Sequence, residues 1–124
     1  MANPLIIRGQ TFKGAVSLKQ DDGCNPQNVF PYVLAATDVI EVHFPQDKDL
    51  AIPVPVILST TNVGEITIVS LPLGQFTYVG APAKSLLLGI GKNLSIDIKV
   101  THLDTTVDIF EEVKTIDVKD ADNL

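Results

Sequence analysis

Hydrophobic and polar residues alternate most regularly between residues 93 and 101. The apolar positions share one parity and are Leu94, Ile96, Ile98 and Val100; the polar positions share the other and are Ser95, Asp97, Lys99 and Thr101. A period of two is the spacing of a β-strand with one buried face and one solvated face. The pattern therefore predicts the central strand of a β-sandwich, with the apolar set in the core.

Shorter runs of the same kind predict further strands, which turn residues separate from one another. These runs are 4–7, 11–19, 37–44, 65–71, 75–79, 106–114 and 116–118. In the first long run, Gly14 marks a bulge or a close approach of another chain segment. Between 80 and 92, Pro82 near the start of an Ala- and Leu-rich stretch predicts one or two helical turns. About seven to eight short strands with one helical turn are typical of an all-β sandwich or barrel.

The loop at 24–34 departs from this regularity. Prolines and asparagines exclude a regular ladder there, yet the loop is too apolar to stand free in solvent. We expect it either to pack onto the domain or to contact a partner protein. The candidate contact residues in this loop are Phe30, Tyr32 and Leu34.

The run at 50–58 is apolar but contains Pro53 and Pro55. Proline cannot donate to a strand ladder, so the run is expected to form an edge strand or a crossing between sheets. The prolines either protect this edge or leave a docking edge for a neighbour's strand. The candidate contact residues here are Ile52, Val54 and Val56.

Composition narrows the class of protein. A chain of 124 residues suits one domain, 1–124, and the 45% hydrophobic content can fill its core. The net charge of −6, with nine scattered basic residues, argues against a nucleic-acid partner. Cys24 is alone, so no internal disulfide is expected. The chain has no signal-peptide pattern and no apolar run of about 20 residues, so we expect synthesis in a cytoplasm and no membrane span.

No catalytic or cofactor motif is present. His43 and His102 lack zinc-site spacing, and we expect the first on a solvated strand face and the second in a turn. The run GIGKN does not have the spacing of a phosphate-binding loop, and no serine has a nucleophile-elbow context. We therefore expect no enzyme activity and no cofactor, while a calcium ion bound by a loop stays an open alternative.

Three passages follow a common order of elements. They are IIRGQTFKGAVSLKQDDG at 6–23, ATDVIEVHFPQ at 36–46, and the segment 64–118 that begins GEITIVSLPLGQFTYVG. The last passage holds two strands, a short Ala/Leu helical turn, a further strand and a final hairpin. In this order of elements the chain resembles small Ig-like domains found in bacteriophage tail and baseplate proteins.

The resemblance implies an Ig-like antiparallel β-sandwich without catalytic residues. It implies a virion structural protein of the tail, baseplate or head-to-tail region, made in the host cytoplasm. Such a protein would assemble with copies of itself and with other virion structural proteins. The alternative is a capsid decoration protein or an adhesion or receptor-binding module, which would contact its ligand through loops at one end of the sandwich.

Overall fold

The computed structural model describes residues 3–21, 29–47 and 54–120, and these residues are mostly in β-strands. In chain order the elements are β1 (Leu5–Ile7), β2 (Phe12–Ser17), β3 (Lys19–Asp21), β4 (Val29–Pro31), β5 (Val39–Phe44), β6 (Val56–Ser59), β7 (Ile66–Ser70), β8 (Gln75–Gly80), α1 (Pro82–Ser85), β9 (Gly91–Thr101) and β10 (Val107–Lys119). The predicted all-β class is confirmed, and the described residues include one short helix where a helical turn is predicted. In the described part of the chain, no helix has the length and apolar character needed to cross a membrane.

The strands form three sheets. Five strands pair in the order β1-β10-β9-β5-β6, three in the order β2-β8-β7, and β3 pairs with β4. The run predicted as a central strand is β9, and it lies in the middle of the five-stranded sheet. The expectation of a wholly antiparallel arrangement is wrong at one place, because β1 pairs with β10 in parallel. Asn3 anchors that pairing, since its Nδ2 donates to Asp117 Oδ1 at 3.1 Å.

The number and bounds of the strands also differ from the prediction. The described segments contain ten strands, partly because β3 pairs in antiparallel fashion with β4, which lies in a region expected to be irregular. Pro31 is tolerated there because it is the last residue of β4. The runs 106–114 and 116–118 are one strand, β10, with a bulge between Phe110 and Lys114. Glu112 adopts a φ of 52° in this bulge, and its N–H donates to Asp97 Oδ1 at 2.9 Å.

The inner faces of the two larger sheets share one buried cluster. The alternating residues Ile96, Ile98 and Val100 of β9 are fully buried, as predicted, and Leu94 is partly buried. Aromatic rings join the sheets, because Phe44 of β5 packs edge-on against Phe12 of β2 and Tyr78 of β8. The ring centroids are 5.2 and 5.4 Å apart, respectively.

Two glycines permit close approaches that a side chain would prevent. A Cβ at Gly14 would lie 2.3 Å from the Tyr78 hydroxyl oxygen, which confirms the close approach predicted there. Gly74 has a φ of 64°, and a Cβ at this position would lie 2.3 Å from the Tyr32 carbonyl oxygen. Gly74 therefore lets the β7–β8 turn pack directly against the segment that follows β4.

Candidate functional site

Three loops meet at one end of the fold, and we call this region the loop end. They are the segments 31–38, 71–74 and 102–106. The Leu34 N–H donates to the Leu71 carbonyl at 2.9 Å, which joins the first segment to the second. Side chains around His102 join the first segment to the third. Backbone and side-chain hydrogen bonds thus fix the loop end to the two larger sheets.

The imidazole of His102 lies between two carboxylates at the loop end. Its Nδ1 is 2.9 Å from Asp38 Oδ1, and its Nε2 is 2.9 Å from Asp108 Oδ2. The Tyr32 hydroxyl is 2.9 Å from the same Nε2 and donates to Asp108 Oδ2. The Asp38 side chain is 2% exposed, and its other oxygen accepts the Ala35 N–H at 2.8 Å. We call Tyr32, Asp38, His102 and Asp108 the His102 network.

The network favours a charged histidine. Carboxylate oxygens only accept hydrogen bonds, so both ring nitrogens of His102 can donate only in the imidazolium form. Hydrogen bonds to Asp108 and then to Asp38 raise the pKa of His102 above its usual value. His102 and then Tyr32 hold the pKa of Asp108 below its usual range. Burial, followed by the hydrogen bond to Asp108, raises the pKa of the Tyr32 phenol.

This arrangement suits the positioning of loops better than nucleophilic catalysis. Within the described segments, His102 has hydrogen-bond contacts with Tyr32, Asp38 and Asp108 and with no serine or cysteine side chain. The raised pKa of Tyr32 makes its hydroxyl a poor nucleophile near neutral pH. No group of three or more His, Cys, Asp or Glu side chains in those segments is placed to hold a metal ion.

The described part of the apolar loop packs onto the domain. Phe30 is 41% exposed, whereas Tyr32 and Leu34 are 8% and 3% exposed. The Tyr32 ring packs edge-on against Phe110 with the ring centroids 4.9 Å apart. Tyr32 and Leu34 are therefore core residues, which corrects their selection as contact residues. Phe30 remains accessible and stays a candidate contact.

The second set of candidate contacts divides in the same way. β6 is an edge strand, as the prolines predict. Val56, its first residue, is buried in the core because its side chain points inward from β6, so it is removed from the candidate contacts. Val54 is 41% exposed and stays a candidate. Ile52 lies outside the described residues.

Two charged side chains cover backbone groups on the free edge of β6. Lys84 Nζ donates to the Ile57 carbonyl at 2.9 Å, and Glu65 Oε1 accepts the Ser59 N–H at 3.0 Å. The same two side chains form an ion pair at 2.6 Å. Burial alone would raise the pKa of Glu65, but hydrogen bonds from Lys84, Asn62 and Ser59 outweigh it and lower the pKa. At this edge the geometry favours protection over docking.

The three segments of the loop end and the end of β7 carry exposed apolar side chains. We call Val33, Val69, Leu73 and Leu103, all of them exposed, the loop-end apolar surface. Two open depressions flank the 35–38 segment. One is lined by Ala35, Thr37, Asp38, His102, Leu103 and Asp104, and the other by Ala36, Ile68, Val69, Ser70, Leu71 and Pro72. The first depression thus places the charged groups of Asp38, His102 and Asp104 beside Leu103, whereas the second is lined mainly by apolar residues.

Sequence reasoning places the two histidines correctly but misses the network. His43 lies on a partly exposed strand face, 3.1 Å from Glu41, and His102 lies at the start of the β9–β10 turn. A hairpin with its turn at 102–106 would bring the residues on either side of the turn together, so its prediction would also indicate that Asp108 lies near His102. Asp38 is 64 residues from His102 in sequence. That distance leaves no local pattern from which the contact could be inferred.

Neither a protein-family model nor a curated protein sequence matches this chain.

Proposed function

We propose that this chain is a bacteriophage virion structural protein of the tail, baseplate or head-to-tail region, which assembles through protein–protein contacts. The observation that carries the proposal is the loop-end apolar surface on a fixed frame. Exposed apolar patches on soluble domains often mark interaction sites. A surface that is already ordered loses little conformational entropy on binding, so more of the contact energy is available for association.

The fold is compatible with the proposed class. The proposal includes an Ig-like β-sandwich, which the shared core of the five-stranded and three-stranded sheets supports. The order of elements in the three passages at 6–23, 36–46 and 64–118 supports the bacteriophage assignment. The proposed partners are copies of this chain and other virion structural proteins. The proposed location is the virion, after synthesis in the host cytoplasm.

The proposal is tested by particle composition and by one matched pair of variants. Mass spectrometry of purified particles should detect the chain in a fixed ratio to other structural proteins. Leu103→Asp places a charge on the loop-end apolar surface and should abolish incorporation. Val63→Asp is the control, because Val63 is fully exposed in the 60–65 loop and belongs to a different surface. Absence of the chain from particles, or equal incorporation of both variants, would contradict the proposal.

A second candidate is a capsid decoration protein or an adhesion or receptor-binding module. The observation that favours it is the depression beside Asp38, His102 and Asp104, which places charged groups next to an open apolar floor. Such a mixture suits a polar ligand on a cell or capsid surface. A glycan and cell-surface binding screen, with Asp104→Asn as the matched variant, decides between the candidates. If the screen detects no binding, the assembly role is the remaining candidate.

A further inference from the structure

The N-terminal half of β10 has a free edge. β1 covers β10 only where Leu5, Ile6 and Ile7 pair with Asp117, Val118 and Lys119. Among the residues that the structure describes, no strand lies on the same side of residues 107–113. We call residues 103–112 the β10 arm, and every residue in it except Phe110 is exposed.

The hairpin geometry identifies the backbone groups on this edge. The His102 N–H donates to the Thr106 carbonyl at 2.8 Å, so these two residues are a hydrogen-bonded pair. Bonded and non-bonded pairs alternate along an antiparallel ladder. Val107 lies opposite Thr101, and Ile109 opposite Lys99. Val107 and Ile109 are therefore in non-bonded pairs, and their N–H and C=O groups point away from β9.

The side chains at the same positions are apolar and accessible. Val107 is 43% exposed and Ile109 is 65% exposed. Backbone groups that point outward, beside apolar side chains, are the features that allow an extended peptide to add a strand to a sheet. At the β6 edge, by contrast, Lys84 and Glu65 occupy the corresponding backbone groups.

The charge of the arm restricts what can occupy it. Residues 103–112 include Asp104, Asp108, Glu111 and Glu112 and contain no Lys or Arg. On the neighbouring strand one lysine, Lys99, lies opposite Ile109, so the four carboxylates of the arm outnumber it. His102 is already in contact with Asp108 and with the Asp38 carboxylate. Two copies paired edge to edge would bring these acidic arms together, and like charges on neighbouring strands are destabilising. A strand with basic residues has the complementary charge.

We propose that the β10 arm binds an extended segment of a partner protein, which adds as a strand beside Val107 and Ile109. The segment carries Lys or Arg among β-branched residues, so that its backbone pairs with the free edge and its cations face the acidic side chains. This inference rests on the proposed assembly function and names a surface and the chemistry of the partner segment.

A synthetic peptide of alternating lysine and valine is the probe for the full chain. Amide hydrogen exchange is followed by NMR at Val107 and Ile109, with Asp108 and Phe110 as internal references. In the free protein the first two amides should exchange rapidly, whereas the two references are protected by β9. Saturating peptide should slow exchange at Val107 and Ile109 by about tenfold or more, because each gains a hydrogen-bond partner.

Three matched probes separate strand addition from charge attraction. A peptide of alternating glutamate and valine tests the charge, and a lysine–valine peptide N-methylated at every residue tests backbone pairing, because neither of its edges can donate. Each should bind weaker than the parent peptide by about tenfold. Ile109→Lys leaves the backbone N–H in place but adds a positive charge to the arm, and it should weaken binding of the basic peptide in the same range.

Several outcomes would overturn the inference. They are equal binding of the N-methylated peptide, equal binding of the acidic peptide, and unchanged exchange at Val107 and Ile109 when the peptide is bound. If the chain alone forms a dimer in which these amides are protected, the occupant of the edge is a second copy and not a partner segment. A particle map with this arm free in solvent would overturn the inference and leave the virion function standing. If the chain is absent from particles but still binds the peptide, the virion function fails and the inference about the β10 arm stands.

Discussion

The two edges of the five-stranded sheet differ in how their outward-pointing backbone groups are bonded. On one side, Lys84 and Glu65 bond to the Ile57 carbonyl and the Ser59 N–H of β6. On the other side, β1 covers the C-terminal end of β10 and leaves the β10 arm uncovered within the described segments. One edge is therefore closed by charged side chains that bond to it, whereas the other is bordered by carboxylates and pairs with no further strand in the part of the chain that the structure describes.

The difference shows that exposure of an edge depends on side chains from other elements. Lys84 comes from α1 and is 27 residues from Ile57 in sequence, whereas Glu65 comes from the loop between β6 and β7 and is six residues from Ser59. Prolines at 53 and 55 signal an edge strand, but the protection at β6 itself is a pair of hydrogen-bonded charges. Among the described residues no such pair bonds to Val107 or Ile109, and the proposed strand addition depends on this difference.

The largest expected effect comes from the strand between the two edges. Ile96 of β9 is fully buried, and Ile96→Asp would bury an unpaired carboxylate, which should cost more than about 4 kcal/mol of the free energy of unfolding. Ile109→Asp makes the same chemical change on the β10 arm and should stay within about 0.5 kcal/mol of wild type. Urea unfolding followed by circular dichroism measures both. Equal losses would show that the arm is part of the core.

The next effect tests the closed edge. Lys84→Met retains much of the side-chain length but removes the donor to the Ile57 carbonyl and the ion pair with Glu65. We expect a loss of about 1–2 kcal/mol in the free energy of unfolding, since the partly exposed carbonyl regains some hydrogen bonding from water. Thermal unfolding measures the change.

Lys13→Met is the matched control for that variant. Lys13 is exposed on β2, so its replacement should change stability by less than about 0.5 kcal/mol. If Lys84→Met is as harmless as the control, the ion pair does not protect β6. If it is destabilising and also makes the chain associate through β6, the covering role of Lys84 is supported directly.

The regular strands are the part of the fold that the sequence predicts well. The period-two run of β9, the strand run at 37–44 and the helical turn at Pro82 follow from local pattern, because side-chain parity decides burial in a strand. The parallel β1–β10 pair and the Glu112 bulge cannot be predicted from local pattern. Both depend on contacts between segments far apart in the chain, such as the hydrogen bond from Asn3 to Asp117.

The candidate contact residues also show that local pattern does not decide where a side chain packs. Apolar character identifies Phe30, Tyr32 and Leu34 as unusual for a loop, but it cannot decide between packing inward and contacting a partner. The decision comes from Phe110 and His102, which the β9–β10 hairpin brings against Tyr32. Local pattern therefore predicts which residues need an apolar or hydrogen-bonded environment, and the topology decides where they find it.

A smaller effect distinguishes the two edges by pH. The pKa of Glu65 is lowered in the folded state, so its contribution to stability is present above about 4.5 and is lost as the pH falls through the folded-state value. The pKa of His102 is raised, so its contribution is complete below about 6.5 and is lost as the pH rises through the folded-state value. Acid should therefore loosen the β6 edge, and mild alkali should loosen the contacts of His102 with Asp38 and with Asp108 of the β10 arm.

Hydrogen exchange at different pH values tests this division, after correction for the intrinsic rate. Protection at Ser59 should fall on the acid side, and Glu65→Gln should remove most of that dependence. Protection of the Asp38 N–H, which donates to the Ala35 carbonyl at 3.0 Å, should fall on the alkaline side. His102→Gln should flatten the second profile and leave the first unchanged. A single transition shared by both regions would contradict independent control of the two edges.

The smallest expected effect concerns the tip of the β10 arm. Thr105 has a φ of 70°, which a β-branched residue adopts only with strain, and Gly relieves this strain. The entropy that Gly loses on folding offsets part of the gain, so Thr105→Gly should raise the free energy of unfolding by about 0.5–1 kcal/mol. Thr11→Gly is the control, because Thr11 is exposed and does not have a positive φ, and it should lower stability instead. Both variants should leave peptide binding at Val107 and Ile109 unchanged, since the free edge begins after the turn; weaker binding in Thr105→Gly alone would mean that the strained turn helps to hold the arm in its binding geometry.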